Sequence, residues 1–205
     1  MIKNIVFDMG NVLIKFDRNA FLDKVGVTGE DRELLMREVY LSIEWSMMDR
    51  GSLTEEEAAE RMCRNVPERL HDTVRALTSE WDRPIMPIDG MAELVRELKE
   101  NGYRILLVSN ASYRQHEYWD KIPGSEYFED TLISADVKLV KPQPEIYLHA
   151  AYKFGIRPEE SVFIDDSGPN VEGAVFSGWN GIIFHGDAFE LRRKLRSLGV
   201  DISAG

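Results

Sequence analysis

Cysteine is almost missing from this 205-residue chain. The single Cys63 cannot form an internal disulfide, which excludes a disulfide-stapled scaffold, and its place in the helical pattern Glu55 to Arg64 makes it a small buried side chain. Positive charge is in deficit, with 25 Lys and Arg against 36 Asp and Glu and a formal net charge of -11. Such a chain repels nucleic-acid phosphates and anionic lipid, so neither is expected as a general partner. Long apolar runs are lacking too. The first, Ile5 to Phe7, is broken by Asp8 and is far too short to span a bilayer or act as a targeting segment, and the expected location is the reducing cytoplasm. No internal repeat, low-complexity tract or long linker interrupts the sequence.

What is present suffices for a sizeable core: 43% hydrophobic residues, 10% aromatic, and apolar runs that recur along the chain. Four of these runs end in polar or small residues: Ile5-Val6-Phe7 before Asp8, Ile105 to Val108 before Ser109, Leu132-Ile133 before Ser134, and Val162-Phe163-Ile164 before Asp165. Short continuous runs read as strands buried on both faces, the habit of parallel sheets. Helical spacing fills the gaps, over Pro87 to Gly102 and Glu145 to Phe154, and again over Phe189 to Leu198. The alternation predicts an α/β fold, a Rossmann-like three-layer parallel sheet with right-handed crossovers. Between Asn19 and Trp81 no strand is evident, and helices are expected over Phe21 to Val25, Asp31 to Leu41, Thr54 to Asn65 and Pro67 to Trp81. Thr54 followed by Glu57 has the pattern of a capping box. The expected organisation is a core of residues 1–18 and 82–205 with an all-helical cap of residues 19–81 inserted in it.

Ligands of open parallel sheets bind beyond the carboxyl ends of the strands, so the residues that end the runs should share one crevice. Those are Asp8, Ser109 with Asn110, and Asp165 with Asp166, and Lys141 follows the third run closely. Each has an ordinary alternative: Asp8 or Ser109 as a helix cap, Lys141 as a solvated lysine like Lys138, Asp165-Asp166 as a turn. Two adjacent acids ending a buried strand are nevertheless costly unless a cation or N-H groups compensate them.

The strings Ile5-Val6-Phe7-Asp8-Met9-Gly10-Asn11-Val12-Leu13, Leu107-Val108-Ser109-Asn110, Lys141-Pro142 and Phe163-Ile164-Asp165-Asp166-Ser167, in this order, resemble the four motifs of the haloacid dehalogenase superfamily, and the likeness covers Ile5 to Ile183. The resemblance implies a phosphatase in which Asp8 attacks phosphorus to form an aspartyl-phosphate, with Mg²⁺ as cofactor and a small phosphorylated metabolite as substrate. The chemistry is consistent with that. A carboxylate with a reference pKa of ~3.9 needs no activating base, and a cation must screen its repulsion from the phosphate. The implied metal ligands are Asp8, the Gly10 carbonyl and Asp166, with Asp165 as a second or water-mediated ligand. Ser109 and Lys141 would hold the phosphate, and Asn110 and Ala111 would offer N-H groups if a helix begins after Ser109. Asn170 would orient Lys141 or a water on the metal.

The sequence departs from that family at Gly10, where most of its phosphatases carry a second Asp that protonates the leaving oxygen and then activates water. Dehalogenases of the superfamily also lack this Asp, so a metal-free 2-haloacid dehalogenase is the competing enzyme. Those enzymes tend to lose the acidic pair that Asp165 and Asp166 retain here. A non-catalytic binding domain is the third possibility, and a phosphomutase would need the missing acid-base. The Asp-x-Gly-Asn-Val form of the nucleophile motif resembles a branch that includes sugar-1-phosphate phosphatases. An anomeric oxygen leaves readily, so an aldose 1-phosphate would depend less on an acid. For the second step His116, Asn11 or a water on the metal are the substitutes. Glu44, Trp45, Arg50 and Trp81 in the cap could face a sugar, although Trp45 and Trp81 are expected first as packing residues, and Arg114 and His116 on a solvated helix face. A monomer or a homodimer is equally compatible with the sequence.

Overall fold

Residues 1–203 are described by a computed structural model; Ala204 and Gly205, at the end of the expected core span 82–205, lie outside the described residues. The strands are β1 (Asn4–Phe7), β2 (Arg104–Ser109), β3 (Asp130–Ile133), β4 (Ser161–Asp165) and β5 (Asn180–Ile183). All pair in parallel, in the order β3-β2-β1-β4-β5. The continuous apolar runs have their reason here. Ile5, Phe7, Ile105, Leu107, Val162 and Ile164 point into one core layer, while Val6, Leu106, Val108 and Phe163 point into the other.

Eleven α-helices complete the described chain: α1 (Arg18–Lys24), α2 (Gly29–Leu35), α3 (Ile43–Asp49), α4 (Glu55–Cys63), α5 (His71–Ser79), α6 (Met91–Glu100), α7 (Gln115–Tyr118), α8 (Ser134–Val137), α9 (Pro144–Phe154), α10 (Gly168–Phe176) and α11 (Ala188–Ser197). α6 and α11 cover the first face of the sheet through Met91, Leu94, Leu98, Leu191 and Leu195. α9 and α10 cover the second through Ile146, Tyr147, Phe154 and Ala174. This is the three-layer α/β arrangement expected from the alternation of runs.

β5 is not evident in the sequence because Asn180-Gly181 reads as a turn. Gly181 is instead inside the strand. A Cβ there would lie 2.6 Å from Val171 Cγ1 and 2.8 Å from Val175 Cγ2, so only glycine lets α10 pack this close.

α1 to α5 form a separate apolar cluster around Leu22, Leu35, Val39, Met62, Val74 and Leu77. Asp17 caps α1, and Thr54 with Glu57 makes a reciprocal capping box on α4. The helix expected over Asp31 to Leu41 begins at Gly29 and passes into a π-helical turn at Met36–Tyr40. α3 is an addition to the expected helices; Ser42 starts it by accepting the Trp45 N-H at 3.2 Å.

Several contacts hold this helical insertion on the core. Arg50 donates to the Lys138 carbonyl at 3.3 Å and to Gln143 Oε1 at 3.2 Å. Lys138, expected to be a solvated lysine, donates to the Gly51 carbonyl and bonds Tyr113. Gly51 sits so close to α8 that a Cβ would lie 2.4 Å from the Ala135 carbonyl oxygen. Asp82 and Arg114, both buried, form an ion pair where the insertion rejoins the core.

Candidate active site

β1 is the pivot of the sheet, since the chain builds outward to β2 and β3 and then returns to add β4 on its other side. Open parallel sheets place their crevice at such a switch point. Asp8 leaves β1 there, its N-H bonded to the Ile164 carbonyl of β4 at 2.8 Å. Asp165 ends β4 and Asp166 follows it.

Lys141 comes from the β3-to-β4 crossover and is the hub. Its Nζ lies 2.8 Å from Asp8 Oδ1, 2.6 Å from Asp165 Oδ2 and 3.1 Å from the Val108 carbonyl. Its backbone is fixed as well: Asn110 Oδ1 accepts the Lys141 N-H at 2.8 Å and Asn110 Nδ2 donates to the Lys141 carbonyl at 3.0 Å. The Asn110 side chain therefore joins the Ser and Lys motifs, a task the sequence did not reveal.

Asp165 is fully buried, with crowded oxygens. Besides Lys141, it accepts from Asn170 Nδ2 at 3.1 Å on both oxygens and from the Ser167 N-H at 2.8 Å. Asn170 thus orients Lys141 by holding Asp165. Ligand oxygens of Asp8, Asp165 and Asp166 all lie within 4.8 Å of one another. That donor set of hard carboxylate oxygens fits a divalent cation such as Mg²⁺, which prefers oxygen ligands. Asp166, at the exposed rim, accepts from Asn11 Nδ2 at 3.1 Å, and Asn11 Oδ1 takes the Phe16 N-H at 2.9 Å.

Burial pushes the Asp8 carboxyl up to about 7; the Lys141 ammonium draws it down and Asp165 adds to the rise. Burial likewise disfavours the charge on Lys141, but the two carboxylates outweigh it and hold the ammonium above its ordinary range.

A cavity of about 350 Å³ opens over these groups. Its floor is Asp8, Gly10, Asn11, Asn110 and Asp166, and its roof comes from the insertion and the segment leading into it: Phe16, Arg18, Tyr40, Trp45, Asp49 and Trp81. The volume lies at the small end of the ordinary range for ligand sites, about 300–1,000 Å³, and suits a small metabolite. The aromatic groups pack edge-on or tilted against one another, Phe16 to Trp81 at 5.1 Å and Tyr40 to Trp45 at 5.0 Å between ring centres. Both tryptophans therefore pack and line the cavity.

Other expectations are corrected. No helix begins after Ser109; the next is α7 at Gln115, and the Ala111 N-H is taken by Ser134 Oγ at 2.9 Å. His116 faces Asp136 at 3.0 Å on the surface, away from the cavity lining. The Asn11 amide is spent at both ends, so it has no base to offer. Glu44 and Arg50 are not among the lining residues, and Arg114 is buried against Asp82 rather than on a solvated face. Sequence reasoning missed Arg18, Tyr40 and Asp49. Arg18 opens α1 and Asp49 ends α3, and neither lies in a motif or at the end of an apolar run that would mark it as part of a site.

A family model described as haloacid dehalogenase-like hydrolase matches residues 2–178. Flavin mononucleotide hydrolase 1 of Arabidopsis thaliana is 33% identical over 116 residues, 57% of this chain, and the chain spans only about half (47%) of that relative. (S)-2-haloacid dehalogenase 4A of Burkholderia cepacia is 27% identical over 177 residues, 80% of this chain and 72% of its own. Among solved structures, a haloacid-dehalogenase-family enzyme of Bacteroides thetaiotaomicron in complex with magnesium and inorganic phosphate is 25% identical, with a TM-score of 0.67 over 93% of this chain and 99% of its own. The motif order, the crevice at the switch point and the match over most of its length agree: this chain belongs to the haloacid dehalogenase-like hydrolase family.

Proposed function

We propose that the protein is a Mg²⁺-dependent phosphatase of a small phosphorylated metabolite, working through an aspartyl-phosphate on Asp8. The observation that carries this reading is the buried Lys141 clamped between Asp8 and Asp165, with Asp166 beside them. So much carboxylate charge at the mouth of a sheet suits a site that also binds a cation for a phosphate dianion, whereas displacing halide from carbon calls for no cation. Asp8, Asp166 and the Gly10 carbonyl would hold the ion, which when bound supplies positive charge against the phosphoryl oxygens. Asp165, within reach of the same ion, is assigned chiefly to positioning Lys141 because its oxygens are already bonded.

The residues divide the work as follows. Asp8 supplies the attacking oxygen, and the new Asp8 O-P bond forms as the ester P-O bond breaks. Lys141 neutralises the nucleophile's neighbourhood and the transferring group, while Ser109 and the Asn110 N-H hold phosphoryl oxygens. The helical insertion, residues 19–81, acts as the cap that excludes water from the cleft. Its aromatic roof suits the flat faces of a sugar ring, and an aldose 1-phosphate, with its good leaving oxygen, is the favoured substrate. The magnesium and phosphate complex of the Bacteroides enzyme supports both the metal and the substrate class. The free, buried Cys63 accords with a reducing cytoplasm, and among the described residues no helix is long and apolar enough to cross a membrane.

A 2-haloacid dehalogenase is the second reading, favoured by Gly10 and by the Burkholderia relative. Phosphate release from a panel of phosphate esters, with and without Mg²⁺, decides between them when run beside 2-chloropropionate. We expect Mg²⁺-dependent release that Asp8→Asn abolishes, with glucose 1-phosphate preferred over glucose 6-phosphate. Halide release without metal and no phosphate release would overturn the phosphatase; preference for the 6-phosphate would overturn only the aldose 1-phosphate.

A further inference from the structure

The phosphatase reading leaves a chemical gap. Gly10 can neither give nor take a proton, His116 faces elsewhere and the Asn11 amide is spent. The roof of the cavity supplies another carboxylate. We propose that Asp49, at the last turn of α3, is the proton donor and acceptor of this site: its acid form protonates the leaving oxygen, and its carboxylate then takes a proton from water.

Three features place it for that role. Asp49 lines the same cavity as Asp8, Gly10 and Asp166. Its backbone is tied to the core, because Ser134 Oγ donates to the Asp49 carbonyl and Gly51 packs against Ala135 two residues later. Its side-chain oxygens make no hydrogen bond or ion pair among the described residues, unlike those of Asp8, Asp165 and Asp166. The charged groups around it are Arg18 from α1, Asp8 after β1, Lys141 from the crossover and Glu55 at the start of α4. Burial, opposed by Arg18, pushes the Asp49 carboxyl up to about 8, so at neutral pH it carries the proton that the first step consumes. Nearby, the Tyr40 hydroxyl is buried on the same wall with no hydrogen-bond partner among the described residues, and it can bond the leaving group.

The proton balance closes. In the first step Asp8 bonds to phosphorus, the ester oxygen departs, and the Asp49 proton goes to that oxygen. In the second, water attacks the phosphorus of the aspartyl-phosphate, its proton goes to Asp49, and the Asp8 O-P bond breaks to release phosphate.

The inference rests on the phosphatase reading, and the test separates the two. Wild type and Asp49→Asn are compared with Mg²⁺ on glucose 1-phosphate and on p-nitrophenyl phosphate, whose leaving phenolate needs no proton. Loss of a general acid-base costs about 10²- to 10⁴-fold. Asp49→Asn should therefore lose at least about 100-fold in kcat/KM on glucose 1-phosphate but less than about 10-fold on p-nitrophenyl phosphate. Acid quenching during p-nitrophenyl phosphate turnover should catch phosphorylated Asp8 by mass spectrometry in the variant and far less in wild type. The fall in wild-type kcat/KM above about pH 8 should vanish in the variant. Adding Gly10→Asp to Asp49→Asn should recover about 10-fold or more; there is room, since a Cβ at Gly10 would meet only Phe16 Cβ, at 3.9 Å. Equal losses on both esters with no trapped phosphoenzyme, or unchanged rates, would overturn the assignment alone. No phosphate release from either ester by the wild type would overturn the phosphatase reading and this assignment with it.

Discussion

Replacing Lys141 with Met removes an ammonium shared by two buried carboxylates and keeps most of the side-chain volume. Lys141 is 4% exposed and Asp165 is 0% exposed, and the ammonium lies within 2.8 Å of Asp8 and 2.6 Å of Asp165. Breaking a buried pair by deleting one partner costs about 3–5 kcal/mol, because the partner stays desolvated and uncompensated. At about 2–4 °C per kcal/mol for a domain of this size, Tm should fall by about 6–20 °C at pH 8 in a metal-free buffer. The loss should depend on pH in a defined direction. Without Lys141 the Asp8 carboxyl moves further above its unfolded range of ~4. The native variant then holds protons that the unfolded chain has released, so its stability falls as pH rises through the window from about 4 to beyond 7. The gap to wild type should be small at pH 5 and largest at pH 8. Thermal denaturation followed by circular dichroism across that range, with EDTA present, measures it. A gap that is the same at every pH, or a Tm drop under about 2 °C at pH 8, would refute the reasoning that Lys141 carries the charge balance of the site.

Gly181→Ala should destabilise by about 1–3 kcal/mol in urea titrations, since its Cβ would sit 2.6 Å from Val171 Cγ1 with β5 and α10 both fixed; an unchanged midpoint would mean that α10 can move away freely. Arg114→Met should cost about 3–5 kcal/mol at neutral pH by stranding the buried Asp82, and adding Asp82→Asn should restore part of it. The Glu97 carboxyl is held down to about 2 by the Ser203 N-H and by Arg192, so it stabilises the fold above the unfolded carboxylate range and loses that contribution as pH falls toward 2. Glu97→Gln should therefore be about 1–2 kcal/mol less stable at pH 7 and indistinguishable from wild type near pH 2.

Much of the core is legible in the sequence because burial on both faces leaves a local mark. A strand between two helical layers must be apolar at every position, as Ile105 to Val108 and Val162 to Ile164 are, and the polar residue that ends each such run marks the mouth of the sheet. Asp8, Ser109 and the Asp165-Asp166 pair can therefore be assigned to one crevice from residue order alone. β5 and α3 leave no comparable mark. β5 opens with Asn180-Gly181, a turn signal whose glycine is there for the Val171 and Val175 side chains of α10. α3 is a two-turn helix that packs only part of its surface, and its residues read equally well as a loop.

The layer order of the core, the family and the chemical types at the strand ends were all set by the amino-acid order, because they follow from local periodicity and from short motifs. How those groups are shared out was settled by the folded arrangement. Asp165 is bonded to Lys141 and Asn170, the Ala111 N-H belongs to Ser134, His116 faces Asp136, and Tyr40 and Asp49 from the insertion and Arg18 from the segment leading into it come over the cleft. Which partner a buried polar group takes depends on the few ångströms between elements far apart in the chain, and no local pattern carries that distance.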